Sequence, residues 1–202
     1  LQVSSLAEQA IMEVGGNALL VRAGALYHDI GKVDNSLFFI ENQMAGLNPH
    51  DELSADESAK LIISHVIKGI EKAKKQNLPE QIIDFIRTHH GDGMVQYFYR
   101  QYVKKFPDKM NDTDMFRYPG PKPFSKETAV LMMADSVEAA TRSLAIKNAE
   151  TISTMVNKII QSQMNDGQFN HASITLKEID SIKKIFIKKL LNIHHLRVEY
   201  PS

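Results

Sequence analysis

Residues 26–32 of the chain, LYHDIGK, place a histidine beside an aspartate at the end of an apolar helical pattern. Apolar residues recur at helical spacing from Leu19 to Leu26, and Asn17 is a suitable N-cap for that helix. Gly31 is expected to end it. Spacings of three and four residues continue through almost the whole sequence, and no segment shows the alternation typical of strands. The sequence therefore predicts an all-α helical bundle.

Side-chain caps mark the starts of longer helices downstream of this motif. Ser54 with Glu57 and Thr175 with Glu178 have the spacing of capping boxes. The predicted helices cover about residues 54–76, 79–91, 125–144, 152–160 and 175–190. Residues 33–53 lack a sustained period, so we expect a long loop there with at most one short helix.

The composition is that of a globular protein, with 43% hydrophobic and 24% charged residues among 202. No shift in composition marks a boundary, so we expect one domain spanning residues 1–202. The 24 basic and 24 acidic residues balance, which argues against a basic surface for long nucleic acids. The absence of cysteine excludes disulfides, thiolate nucleophiles and cysteine-bound metals. The chain begins inside an amphipathic helix and has no membrane-length apolar run, so we expect a water-soluble piece of a longer protein.

Four histidines and two aspartates fall on or beside inward-facing helical positions, and they are His28, Asp29, His65, His89, His90 and Asp135. A single buried histidine is most simply a core residue bonded to a backbone carbonyl. Six such groups on four helices instead favour a metal site, because a divalent ion offsets the cost of burying them. Nitrogen and oxygen donors without sulfur suit iron, manganese or zinc. Six ligands exceed one tetrahedral site, so we expect two ions bridged by a carboxylate.

Basic, polar and aromatic residues near these groups are candidates for binding an anionic substrate. Lys32 is either a phosphate-binding group or a solvated lysine favoured at a helix C-terminus. Arg117 and Lys122 lie on a stiff proline-rich loop and are candidates for a phosphate clamp, with Tyr118 between them as a candidate to stack on a base. Asn42 is either a substrate contact or a turn former. These five residues are the predicted substrate contacts.

The order of the six candidate ligands resembles that in the HD phosphohydrolase superfamily, whose members are all-α, metal-dependent enzymes. Further motifs sharpen the resemblance, and they are residues 38–43 (FFIENQ), 48–51 (NPHD), 116–123 (FRYPGPKP), 134–140 (ADSVEAA) and 197–201 (RVEYP). Together with LYHDIGK they are similar, nearly end to end, to the HD domain of the bacterial seven-transmembrane HD proteins, which are cyclic di-AMP phosphodiesterases. The residues after His89 and His90 are GDGM, unlike the Gly-Tyr-Pro motif of HD-GYP cyclic di-GMP enzymes.

The resemblance implies a role for each site residue. It implies two ions of iron or manganese bridged by Asp29, with His28 and Asp135 on one ion and His65, His89 and His90 on the other. A further ligand histidine of the family would precede Leu1. Asp29 and Lys32 would be the catalytic groups, cyclic di-AMP the substrate and linear pApA the product. The chain is then expected to be a cytoplasmic HD domain of a membrane-anchored parent.

The residues leave three alternatives open. A hydrolase of mononucleotides or alarmones shares the HD fold and would turn over those substrates instead. A signalling module without catalytic activity would bind nucleotide but not hydrolyse it, even when loaded with metal. A purely structural helical domain would hold no stoichiometric metal, and the six candidate ligands argue against it.

Overall fold

The computed structural model describes residues 2–43 and 48–194, so the RVEYP motif lies outside the described residues. Within them the chain forms eight α-helices, which are α1 Gln2–Val14, α2 Ala18–Tyr27, α3 Ala55–Lys75, α4 Glu80–Thr88, α5 Gln96–Lys105, α6 Lys126–Ser143, α7 Ala149–Asn165 and α8 Leu176–Ile193. The described residues contain no strand, only an isolated antiparallel bridge between Met94 and Arg117. The all-α prediction is confirmed. None of the described helices is both long and apolar enough to cross a membrane.

The chain divides into two compact units. The first combines Leu1–Leu26 with Lys122–Ser202, and the second is Tyr27–Pro121. The first unit contains α1, α6, α7, α8 and nearly all of α2, whereas α3, α4 and α5 belong to the second. The expectation of one domain over residues 1–202 stays a prediction.

The first unit is a bundle held by apolar helix faces. Both α6 and α8 pack against α1 and α7. Leu131 on α6, Ile160 on α7 and Phe186 on α8 are fully buried, so hydrophobic burial supplies most of the stabilisation. Thr175 caps α8 as predicted, and Ser125 caps α6 in the same way. Each accepts a hydrogen bond from the backbone N–H three residues later.

The second unit is built around α3. Helices α4 and α5 and the 3₁₀ helix Ile30–Phe38 all pack against it. Two hydrophobic clusters border α3, one of Ala59, Phe98, Tyr102 and Phe116 and the other of Ala73, Ile83 and Ile86. Ser54 and Glu57 form the predicted capping box at the start of α3.

The helix that leads into LYHDIGK ends earlier than predicted. It stops at Tyr27, so His28 and Asp29 lie in a turn, and Gly31 falls inside the following 3₁₀ helix. A Cβ on Gly31 would lie 1.8 Å from the carbonyl oxygen of His65. Because glycine has no side chain, this segment packs directly against the backbone of α3. That contact overrides the local helical pattern.

Three other elements differ from the sequence prediction. Residues 33–53 were expected to hold at most one short helix, but 3₁₀ helices cover much of the described part of this segment. Pro79 occupies the N-cap position of α4 instead of its first turn. The aromatic residues after Val95 form α5, which the pattern did not predict because its buried face carries only Phe98 and Tyr102.

Candidate metal centre

Three histidines of the second unit converge on one small volume. His65 lies in the middle of α3, and His89 and His90 follow α4 directly. Each offers a ligand nitrogen, and these nitrogens all lie within 4.8 Å of one another. Only 2% of His65 and 1% of His89 are exposed. This histidine trio fits one ion, since metal–nitrogen bonds of about 2 Å bring ligand nitrogens to within about 3 to 4 Å of each other.

Backbone carbonyls orient two of these rings. His65 donates from Nδ1 to the carbonyl oxygen of Ile62 at 2.6 Å, and His89 donates from Nδ1 to that of Ile86 at 2.8 Å. A carbonyl only accepts, so each ring carries a proton on Nδ1, and in its neutral form each ring presents a lone pair on Nε2. The two Nε2 atoms are 3.1 Å apart. Two lone pairs at that distance repel each other unless a proton or a metal ion lies between them, so the pair of Nε2 atoms suits a bound cation.

Asp29 links the histidine trio to a second group of charges. Its Oδ1 lies 3.6 Å from Nε2 of both His65 and His89. Its Oδ2 lies 3.2 Å from Nε2 of His28 and 2.8 Å from Nζ of Lys32. Among the described residues, the buried Oδ1 accepts no hydrogen bond. Burying a carboxylate oxygen in that way is costly by itself, and a shared metal ion offsets the cost.

Opposite charges hold Asp29 and Lys32 in their ionised forms. Burial acts to raise the pKa of Asp29, but the charges of His28 and Lys32 lower it well below its usual range. Burial acts to lower the pKa of Lys32, but Asp29 and Glu41 outweigh it and raise that pKa. Both groups are therefore charged at neutral pH.

Glu41 is a site residue that the sequence pattern missed. Its Oε1 lies 2.8 Å from Nζ of Lys32, so the ammonium is shared between two carboxylates. The ring of Phe39 lies beneath the same ammonium, with 5.0 Å between Nζ and the ring centroid. Glu41 and Lys32 are nine residues apart with no helical register between them, and the 3₁₀ helices bring them together. The FFIENQ motif was the available signal, but it assigns no role to its glutamate.

His90, the third imidazole of the trio, is held by ring contacts. It stacks on Tyr118 with ring centroids 4.2 Å apart and planes inclined by 25°. Its centroid is 4.0 Å from that of His89. Burial, aided by His89 and His65, holds the pKa of His90 well below its usual range. The ring is therefore neutral at neutral pH, which is the form that binds metal.

The HD domain sequence profile matches residues 1–140. This chain belongs to the HD-domain family. The resemblance drawn from the motifs is confirmed. The family assignment agrees with a site that includes both residues of the His28-Asp29 pair and the histidine trio.

Curated relatives of this HD domain are longer proteins. It is 44% identical over 200 residues to the cyclic di-AMP phosphodiesterase PgpH of Bacillus subtilis, covering 99% of this chain and 28% of the relative. It is 41% identical over 202 residues to PgpH of Listeria monocytogenes, covering 100% of this chain and 28% of the relative. The HD domain thus spans less than a third of the length of either protein.

A solved structure resembles this HD domain closely. It is the crystal structure of the L. monocytogenes PgpH HD domain in complex with cyclic di-AMP. The two share 41% identity and a TM-score of 0.92, over 95% of this chain and 89% of that chain. The fold prediction of an HD-domain helical bundle is confirmed.

Two of the predicted substrate contacts lie near the histidine trio in sequence or space. Arg117 is exposed and donates from its guanidinium to the carbonyl oxygen of Asp92 at 3.2 Å. Tyr118 is half-buried and uses one ring face against His90. Both residues border the turn that carries His89 and His90. Their contact with a substrate stays a prediction.

Asn42 has a structural role in the loop beside Lys32. Its side chain donates to the carbonyl oxygen of Ser36 at 3.2 Å, as a turn former does. It is exposed, and a role in substrate binding stays a prediction.

Lys122 and Asp135 belong to the first unit. Lys122 donates from Nζ to the carbonyl oxygen of Asp166 at 3.1 Å, near the C-terminal end of α7. Asp135 lies on α6, next to Ser136, whose hydroxyl accepts a hydrogen bond from Gln163 at 2.8 Å. The roles of Lys122 in substrate binding and of Asp135 in metal binding stay predictions.

Proposed function

We propose that this HD domain hydrolyses cyclic di-AMP to linear pApA. The observation that carries the proposal is the position of Asp29, whose two carboxylate oxygens face the histidine trio on one side and His28 with Lys32 on the other. That arrangement supports a carboxylate shared between two metal ions. The substrate is inferred from the relatives, which are cyclic di-AMP phosphodiesterases, and from the related HD domain in complex with cyclic di-AMP.

The donor set suits two divalent ions, iron or manganese. We infer that His65, His89 and His90 with Asp29 hold one ion, and that His28, Asp29 and Asp135 hold the other. Imidazole and carboxylate donors without sulfur favour these metals over calcium. When bound, such ions lower the pKa of coordinated water and neutralise charge on the phosphodiester.

Protein groups bind and orient the phosphodiester in this proposal. The Lys32 ammonium, positioned by Asp29 and Glu41, binds a non-bridging phosphate oxygen and offsets the charge that develops there. Arg117 and Lys122 bind the second phosphate, Asn42 binds the ribose-phosphate backbone, and the ring of Tyr118 contacts an adenine.

Hydrolysis opens the ring at one phosphodiester. The water oxygen bonds to phosphorus while the bond from phosphorus to the ribose 3′ oxygen breaks. One water proton ends on that 3′ oxygen, and the product carries a 5′ phosphate and a 3′ hydroxyl. Asp29 remains ionised during this step because its pKa lies well below neutral.

The proposed parent is a longer membrane protein that carries this HD domain on its cytoplasmic side. The support is the family resemblance and the length of the relatives, of which the chain covers 28%. In this proposal the HD domain binds a soluble cyclic dinucleotide. Only other segments of the parent protein contact the membrane.

The test is turnover of defined nucleotides by the 202-residue chain with Mn²⁺ or Fe²⁺. Cyclic di-AMP should give pApA, with slower turnover of cyclic di-GMP, a nucleoside triphosphate and guanosine tetraphosphate. Hydrolysis of a mononucleotide or alarmone with cyclic di-AMP left intact would support the alternative hydrolase. Binding of cyclic di-AMP without turnover under both metals would support a signalling module.

Asp29→Asn tests whether the Asp29 carboxylate is required for hydrolysis. It keeps the size of the side chain but removes the charge, so turnover should fall by about 1000-fold or more while the melting temperature changes little. Asp34→Asn is the control, since Asp34 also pairs with a lysine of the second unit, Lys72, at 2.8 Å. Near-normal hydrolysis by Asp29→Asn would contradict the proposal.

A further inference from the structure

The three histidines of the trio are held in two different ways. His65 and His89 each donate from Nδ1 to a carbonyl of their own segment, at 2.6 and 2.8 Å. Among the residues that the structure describes, the His90 ring makes no hydrogen bond, and its ring contacts are with His65, His89 and Tyr118. Ligand histidines usually have the ring nitrogen that faces away from the metal bonded to an acceptor, which fixes their orientation. His90 therefore needs another support.

Tyr118 provides that support by stacking. Its ring lies nearly parallel to the His90 ring, inclined by 25°, with 4.2 Å between centroids. The contacts of His90 with His65 and His89 are edge-on or tilted, at 86° and 45°. A stacked neighbour limits rotation of the imidazole about its Cβ–Cγ bond more than an edge contact does. Any such rotation drives the imidazole into the face of the phenol ring.

The backbone around Tyr118 is tied to the turn that follows His90. The N–H of Tyr118 donates to the carbonyl oxygen of Gly93 at 2.9 Å, and the N–H of Val95 donates to that of Phe116 at 2.8 Å. Phe116 is itself fully buried in the aromatic cluster beside α3. The residue that stacks on His90 therefore cannot move independently of the turn that carries His90.

We propose that Tyr118 is a positioning residue that sets the His90 imidazole for metal binding, in place of the carbonyl that orients His65 and His89. The proposal rests on the proposed metal centre and deepens it. It also limits the substrate role of Tyr118, since the ring face against His90 is not available to an adenine.

The experiment compares Mn²⁺ binding by calorimetry in wild type, Tyr118→Phe and Tyr118→Leu. The phenylalanine keeps the stacked ring and should bind both ions as wild type does. The leucine removes the ring and should weaken one of the two ions by about 10- to 100-fold, the range found when a group that orients a metal ligand is lost. Leucine binding as tightly as wild type, or phenylalanine as weakly as leucine, would overturn the proposal.

Phe106→Leu is the matched control. It removes an aromatic ring from the same unit, but Phe106 packs on Tyr102, with 5.1 Å between centroids. Its Mn²⁺ affinity should equal that of wild type. A loss as large as that of Tyr118→Leu would show that general loosening of the unit, not support of His90, weakens the metal, and would overturn the proposal.

A metal-free crystal structure of Tyr118→Leu separates this inference from the proposed function. The His90 ring should rotate away from its wild-type position while His65 and His89 stay in place, because their carbonyl bonds remain. An unmoved His90 ring would overturn the positioning role. Failure of wild type to bind Mn²⁺ would instead refute the proposed metal centre, and the position of the ring would still decide what Tyr118 does.

Discussion

The two units differ in what fills their interiors. In the first, α6 buries an unbroken apolar run at residues 129–134, and α6, α7 and α8 all begin with capping boxes. In the second, the buried residues include two imidazoles, those of His65 and His89. The first unit is thus stabilised by local caps and hydrophobic burial. The second buries imidazoles, and their burial is tolerated only where hydrogen bonds, opposite charges or a metal ion satisfy them.

The second unit depends on contacts between segments that are distant in the sequence. The close approach of Gly31 to α3 is the clearest of them, since a Cβ there would lie 1.8 Å from the carbonyl oxygen of His65 and 2.6 Å from the backbone nitrogen of Gly69. Backbone atoms cannot move aside as a side chain can. The LYHDIGK turn therefore holds Asp29 against the histidine trio only while position 31 is glycine.

Gly31→Ala is expected to have the largest effect on stability. The added methyl group meets backbone, so the turn or α3 must shift, which costs about 3 kcal/mol in the free energy of unfolding. Asp29 should move away from the trio as well, lowering turnover. Urea unfolding followed by circular dichroism measures the loss. An unchanged unfolding midpoint would show that the Gly31 turn and α3 can shift apart without loss of stability, which would contradict this prediction.

Gly69→Ala is the control for that variant. Its Cβ would meet Cγ2 of the buried Ile86 at 2.8 Å, a methyl group fixed by the first side-chain torsion, and the backbone nitrogen of Gly31 at 3.3 Å, so it too is crowded, but less severely than a Cβ on Gly31. Alanine in a helix interior also gains about 1 kcal/mol over glycine, which offsets part of the crowding. The free energy of unfolding should stay within about 1 kcal/mol of wild type.

Local signals account for the parts of the fold that the sequence predicted. Local capping is shared by Asn17, Ser54, Ser125 and Thr175. Each accepts a hydrogen bond from the backbone N–H three residues later, and that spacing is visible in the sequence. The inward-facing His65 follows from the apolar stripe of α3 in the same way.

Contacts between distant segments explain what the sequence did not predict. Glu41 reaches Lys32 only because the chain turns through 3₁₀ helices after Asp29, and the pattern of residues 33–53 carries no period that describes such turns. The stacking of Tyr118 on His90 depends on backbone hydrogen bonds between segments more than twenty residues apart. Tertiary packing, not local propensity, determines these positions.

Lys32→Ala tests whether a buried charge of the second unit contributes to catalysis. The ammonium is assigned to the phosphate, so kcat should fall by about 10- to 100-fold while Mn²⁺ affinity changes little. Lys72→Ala is the control, because Lys72 forms an ion pair of the same length, 2.8 Å, with Asp34. It should keep full activity. An equal loss of metal and turnover in Lys32→Ala would indicate that Lys32 supports Asp29 instead of the substrate.

Glu178→Gln tests a charge of the first unit, where stability is the expected role. Glu178 accepts hydrogen bonds from the backbone and hydroxyl of Thr175 at 2.7 and 2.9 Å and pairs with Lys126. Removing its charge should cost about 1 kcal/mol at pH 7, allowing for solvent screening at a partly exposed pair, with no change in turnover. Chemical denaturation and the cyclic di-AMP assay on the same samples measure the two quantities.

The pH dependence distinguishes this ion pair from a simple cap. The hydrogen bond to Lys126 is the main reason that the pKa of Glu178 falls from 4.5 to about 2 in the folded state. A lowered folded-state pKa means that the stabilisation is complete above about pH 4.5 and is lost as the pH falls towards 2. The stabilities of wild type and Glu178→Gln should therefore converge as the pH falls from about 4.5 towards 2. Glu57→Gln is the comparison in the second unit, because Glu57 has its pKa lowered by hydrogen bonds to Ser54 within the same kind of capping box. A smaller loss of unfolding free energy in Glu57→Gln than in Glu178→Gln would show that Lys126 supplies the extra stabilisation. Equal losses would show that the capping boxes alone account for both.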